Sequence, residues 1–161
     1  MINIIRIGRG ESRIITYTGN NSAGIDITPT LNKGKIDTGN GNIISADNYL
    51  YSDLISIENR KTYAMVWDKC TVSVKICYYD ENENFIYNEN LYEDGNYIAQ
   101  IATECQTDRQ SSGSAIIPII TRHSDKEAKY FRLRIYLNKF NGNYQDSEQL
   151  AQKGITIVRS V

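Results

Sequence analysis

The stretch KYFRLRIYL, Lys129 to Leu137, decides the fold. Phe131, Leu133, Ile135 and Leu137 alternate with Tyr130, Arg132, Arg134 and Tyr136. That period of two places the apolar set on one face of a strand and the polar-aromatic set on the other. TVSVKICYY, Thr71 to Tyr79, repeats the pattern: Val72, Val74, Ile76 and Tyr78 share one face, and Thr71, Ser73, Lys75, Cys77 and Tyr79 the other. Both stretches are rich in β-branched and aromatic residues, which fit a pleated, half-buried surface. Similar runs recur between polar turns over residues 1–7, 13–18, 23–28, 42–45, 49–57, 62–67, 85–88, 97–103, 115–121 and 154–159. The first two are expected to form a hairpin across the Gly8-Arg9-Gly10 loop, and Pro118 assigns its own run to a sheet edge or bulge. Residues 29–42, with Pro29 and three glycines, read as a connector. Only Asp146 to Lys153 carries helix formers, with Ser147 as the expected cap.

Composition agrees. Ile occurs 24 times, Asn 16 times and Tyr 12 times, against 8 Ala, so strand and turn residues outweigh helix formers. Short strands separated by turns predict an all-β protein, a jelly-roll-like β-sandwich of about eight to ten strands. The 161 residues are ample for one core.

Several function classes are disfavoured. Eighteen basic and nineteen acidic residues give a net charge of −1, without the basic excess that grips nucleic acid. The longest apolar run, Ala115 to Ile120, is too short to insert in a membrane, and the N-terminus lacks a signal-peptide pattern. Cys70, Cys77 and Cys105 form no CxxC, Cys70 and Cys77 have opposite parity along one expected strand, and His123 is the one histidine, so neither a zinc site nor a disulfide pair is indicated. Asp80, Asn82 and Asn84 have the spacing of the first calcium ligands of an EF-hand, but Phe85 and Leu91 stand where that loop needs Gly and Glu. Gly8 to Ser12 lacks the Gly-Lys-Ser/Thr ending of a phosphate loop, and Ser124, His123 and Asp125 are too close in sequence to assemble a triad. No pair of acids stands out for glycoside hydrolysis. The expectation is a non-enzyme without cofactor or metal.

The candidate ligand-binding residues are Trp67, Tyr79, Tyr130, Arg132, Arg134 and Tyr136. Aromatic rings stack on the apolar face of a pyranose while Arg donates to hydroxyls, so a face of Tyr and Arg on two neighbouring strands is suited to sugar.

From residue 34 onward the order of motifs forms a recognisable series. Gly34-Lys35-Ile36-Asp37-Thr38 with Gly41 opens it, followed by Tyr51 to Ile57, Lys61-Thr62-Tyr63, Val72 to Asp80 with Phe85-Ile86, and Ala128 to Ile135. This series resembles the carbohydrate-binding-like β-sandwich modules of phage and prophage tail, baseplate and fibre proteins. The resemblance implies a sandwich over residues 34–161 and an attachment or oligomerisation arm over residues 1–33. It also implies location in the virion, other virion proteins as partners, a homo-oligomer with a trimer favoured, and cell-surface glycan as ligand. The competing expectation is a purely structural capsid-decoration, neck or baseplate component without a ligand.

Overall fold

The computed structural model describes residues 14–17, 22–70, 72–93, 96–97, 111–137 and 142–161. In chain order the first strands are β1 Ile14–Tyr17, β2 Ser22–Asp26, β3 Leu31–Lys33, β4 Lys35–Ile36, β5 Ile43–Ile44, β6 Tyr49–Ser52, β7 Ile55–Ser56, β8 Tyr63–Cys70 and β9 Val72–Tyr79. Then come β10 Phe85–Asn90, β11 Tyr92–Glu93, β12 Asn96–Tyr97, β13 Ser111–Ile117, β14 Arg122–His123, β15 Lys126–Glu127 and β16 Tyr130–Leu137. Helix α1 Tyr144–Gly154 and strand β17 Ile155–Ser160 follow.

Two antiparallel sheets carry the fold, one in the order β1-β2-β17-β8-β13 and the other β10-β9-β16-β6-β3, with β7 also pairing β16. The principal strands are β2, β6, β8, β9, β10, β13, β16 and β17. Within the first sheet the first of these lies beside the last, then the third, then the sixth; the second sheet runs fifth, fourth, seventh, second. That interleaving is the jelly-roll arrangement of two Greek keys, and the expected all-β sandwich is the observed fold.

The alternation in Lys129 to Leu137 sets the core. Phe131, Leu133, Ile135 and Leu137 are fully buried, and with Val74, Ile76 and Tyr78 of β9 they face Tyr63, Met65, Trp67, Ile155 and Ile157 of the opposite sheet. Each such side chain contributes about 1.5–3 kcal/mol when removed from water. β13 lies at the edge of its sheet and ends at Ile117, immediately before Pro118, as the missing amide of proline requires.

Four expectations need correction. First, residues 22–33 are built into the sandwich rather than standing apart as an arm: β2 pairs β17 in one sheet, β3 pairs β6 in the other, and Leu31 belongs to the core. The glycines and Pro29 of residues 29–42 conceal short strands that need only a few paired residues each. Residues 1–13 lie outside the described residues. Second, the strand expected over 49–57 is interrupted at Asp53 and Leu54, between β6 and β7. There the buried Ser52 Oγ accepts from the Leu133 amide at 2.8 Å, satisfying a ladder donor that the break leaves open. Third, Asn143 rather than Ser147 caps α1, its side chain accepting from the Asp146 amide at 2.8 Å; Ser147 is buried inside the helix. Fourth, Cys70 and Cys77 stand on separate strands, β8 and β9, not on one. Cys105 and residues 98–103 of an expected strand lie outside the described residues.

Candidate functional site

The polar face of β16 looks away from the core. Its register sets Tyr130 opposite Tyr79, Arg132 opposite Cys77, Arg134 opposite Lys75 and Tyr136 opposite Ser73 on β9. On its other side Arg134 meets Tyr51 and Tyr136 meets Tyr49, both on β6. Strand pairing therefore builds one continuous outer face from β9, β16 and β6, as a Tyr and Arg ladder on neighbouring strands requires.

Part of that face is covered. The β4–β5 hairpin crosses it, anchored by the Gly34 amide donating to the Tyr49 carbonyl at 3.0 Å. Ile36 is fully buried against Cys77 and Tyr79, with Tyr51, Leu54, Phe85 and Tyr130 packed around them. The hairpin tip is held by Arg134 Nη1 donating to Thr38 Oγ1 at 3.4 Å and by Asn88 Nδ2 donating to the Thr38 carbonyl at 3.5 Å. Gly41, at φ +77°, brings its backbone against the Phe85 side chain. Burial pushes the Cys77 thiol up to about 12, against the opposing pull of Arg134, Lys75 and Arg132. Burial likewise raises the Tyr79 hydroxyl to about 12, with Cys77 adding to the shift and Arg132 opposing it. Neither group is ionised near neutral pH, so this thiol is not a nucleophile.

The six candidate residues accordingly separate. Trp67 is 3% exposed on β8, where residues 63, 65 and 67 point between the sheets, so it packs the core and is absent from this face. Tyr79, also 3% exposed, is shut beneath the hairpin, and Tyr130 packs at the edge of the same cluster. Arg132 sets its guanidinium 5.3 Å from the Tyr79 ring centre and 5.9 Å from that of Tyr51, with Nε buried and without a hydrogen-bond partner among the described residues. Arg134 and Tyr136 remain open. They line a cavity of about 130 Å³ with Tyr49, Ser73 and Lys75.

Tyr49, Ser73, Lys75 and Lys35 were not singled out by the sequence. Tyr49 organises the pocket: its ring meets that of Tyr136 edge to face at 5.2 Å, and its hydroxyl accepts from Arg134 Nη2 at 3.0 Å. Two cations also sit over it, Lys35 Nζ at 4.9 Å and the Arg134 guanidinium at 4.8 Å from the ring centre. The legible signal was the register partner: the residues flanking Arg134 and Tyr136 on β6 and β9 must share their face.

The alternative sites are weaker. The Asp80 to Asn84 turn is closed by its own bonds, Asp80 Oδ1 accepting from the Asn82 and Asn84 amides at 2.9 Å each. Those donors, the Asn84 amide foremost, hold the Asp80 carboxyl below its ordinary range. His123 is exposed and stacks on Tyr87 at 4.3 Å. Among the described residues no group of three or more His, Cys, Asp or Glu is placed to hold a metal, and no helix is long and apolar enough to cross a membrane. No family model matches this chain, and no curated protein or solved structure matches it.

Proposed function

We propose that the chain is a non-enzymatic virion component of tail-fibre or baseplate type that recognises cell-surface glycan through the open end of its outer face. The observation that carries this reading is the pocket of Tyr49, Tyr136, Arg134, Lys75 and Ser73: two rings set edge to face beside two cationic donors and a hydroxyl. A sugar ring lies on the aromatic side chains, and the guanidinium and ammonium donate to its hydroxyls. The pocket is small, about 130 Å³, which suits a terminal sugar rather than a larger enclosed ligand. Jelly rolls serve both lectins and viral shells, so the fold is compatible with this role without specifying it. The resemblance of residues 34–137 to phage modules supplies the virion setting, the other virion proteins as neighbours and the trimeric assembly.

Glycan-array binding by the full chain tests the proposal. Binding above background, reduced about tenfold or more by Tyr136→Ala and Arg134→Ala, is expected for contacts of this kind. Background binding by a folded chain refutes it. The purely structural reading is favoured by a different observation, the exposed Ile43, Ile44 and Ile116 on the hairpin and the edge strand. Its test is particle incorporation: Ile43→Ser with Ile44→Ser abolishes incorporation if those side chains face a neighbour.

A further inference from the structure

We infer that the ligand of the Tyr49–Arg134–Tyr136 pocket is an oxyanion-bearing glycan, one carrying a carboxylate or a phosphate beside its hydroxyls. The inference rests on the glycan reading above and narrows it.

The argument starts from register. Arg134 and Lys75 are directly opposite one another on β16 and β9, and like charges at such positions repel. Arg132 stands two residues before Arg134 on the same strand face, and Lys35 projects from the hairpin onto the Tyr49 ring. Four cations thus converge on one side of a chain whose net charge is −1. Among the described residues no carboxylate lines the cavity. The described ion pairs, Lys33–Asp47, Lys129–Glu127 and Arg159–Glu58, use none of these four residues. On the hairpin, Asp37 directs Oδ1 to the Gly39 amide of its own turn.

Arg134 is also pre-oriented. Nη1 donates to Thr38 Oγ1 and Nη2 to the Tyr49 hydroxyl, which fix the guanidinium plane. A guanidinium has five N–H donors, so further donors remain for the oxygens of a carboxylate or phosphate, with the Lys75 ammonium beside it. An anion between Arg134 and Lys75 converts their mutual repulsion into two attractions. A neutral sugar leaves the repulsion in place.

The test is calorimetric titration of the full-length chain at low and high salt with four probes. They are a galacturonic acid trisaccharide, glucose 6-phosphate, a neutral galactose trisaccharide and inorganic phosphate. An acidic sugar is expected to bind at least about tenfold more tightly than the neutral one, with affinity falling as salt rises. Which of the two acidic probes binds decides between carboxylate and phosphate. Lys75→Gln is expected to remove most of that preference, weakening the acidic sugar at least about tenfold more than the neutral one, and Lys75→Arg to restore it, with melting curves confirming folded variants. Equal, salt-independent binding of neutral and acidic sugars overturns the inference and leaves the glycan reading standing. Inorganic phosphate binding as tightly as the sugar phosphate overturns it, because the sugar then contributes nothing. Failure of every probe, with glycan arrays also at background, overturns both.

Discussion

Gly41→Ala is the sharpest structural perturbation available. At φ +77° an alanine is strained by about 1–2 kcal/mol relative to glycine. Its Cβ would also stand 2.3 Å from Phe85 Cβ and 2.8 Å from Phe85 Cγ. Those atoms lie near the β10 backbone and cannot swing away as a side-chain tip can, so relief needs a backbone shift, a cost of about 1–3 kcal/mol. The total is about 2–5 kcal/mol, a large part of the stability of an ordinary domain. The hairpin relieves the clash by lifting from the outer face, which uncovers Ile36, Tyr79 and Cys77. Gly39→Ala is the internal control: on the same hairpin, its added Cβ would meet only the movable Asp37 Oδ1, at 3.2 Å. Urea unfolding gives the energy, and thiol labelling in a Cys70→Ser, Cys105→Ser background reports the cover over Cys77. Gly41→Ala should lower stability by about 2–5 kcal/mol and speed Cys77 labelling at least tenfold, with Gly39→Ala close to the parent. A loss below about 0.5 kcal/mol with unchanged labelling would refute a hairpin seated on Phe85.

Two further outcomes follow from buried groups. Ser52→Ala should cost about 1–3 kcal/mol by urea unfolding, because the Leu133 amide loses its acceptor inside the sheet; a change below 0.5 kcal/mol would contradict that role. The second concerns alkaline pH. The Cys77 thiol is raised from 9.0 to about 12 in the folded protein, so above pH 9 the unfolded chain releases a proton that the folded chain keeps. The stabilisation is complete below pH 9 and declines by about 1.4 kcal/mol per pH unit as pH rises towards 12. Tyr79, raised from 10.0 to about 12, adds to the decline above pH 10. Cys77→Ala should flatten the slope of urea midpoint against pH between 9 and 10; identical slopes would show an ionisable, accessible thiol.

Legibility in the sequence divided along physical lines. The alternation in residues 72–79 and 130–137 was local and strong, so β9, β16 and their inward faces could be read directly. Strand order could not. That β6 lies beside β16, bringing Tyr49 to Tyr136 and Arg134, depends on contacts about 85 residues apart in the chain. The hairpin was hidden because Gly34, Gly39 and Gly41 signal turns, whereas Ile36 is one apolar residue whose burial comes from Cys77 and Tyr79 on distant strands. For the same reason Tyr79 read as outward: it does face away from the sandwich core, but into a second, smaller cluster. Trp67 misled by residue type alone. The parity of Tyr63, Met65 and Trp67 placed it between the sheets, and parity is the firmer guide on a strand.

The central claim is that the open end of the outer face binds an acidic glycan. Amide chemical-shift mapping of the isotope-labelled chain, titrated with the galacturonic acid trisaccharide and glucose 6-phosphate, tests it most directly. The account predicts shifts concentrated at Tyr49, Ser73, Lys75, Arg134 and Tyr136, saturating with ligand and weakened in Lys75→Gln. Shifts gathered instead at the Asp80–Asn84 turn and Lys126–Lys129, or none at saturating ligand, would contradict it.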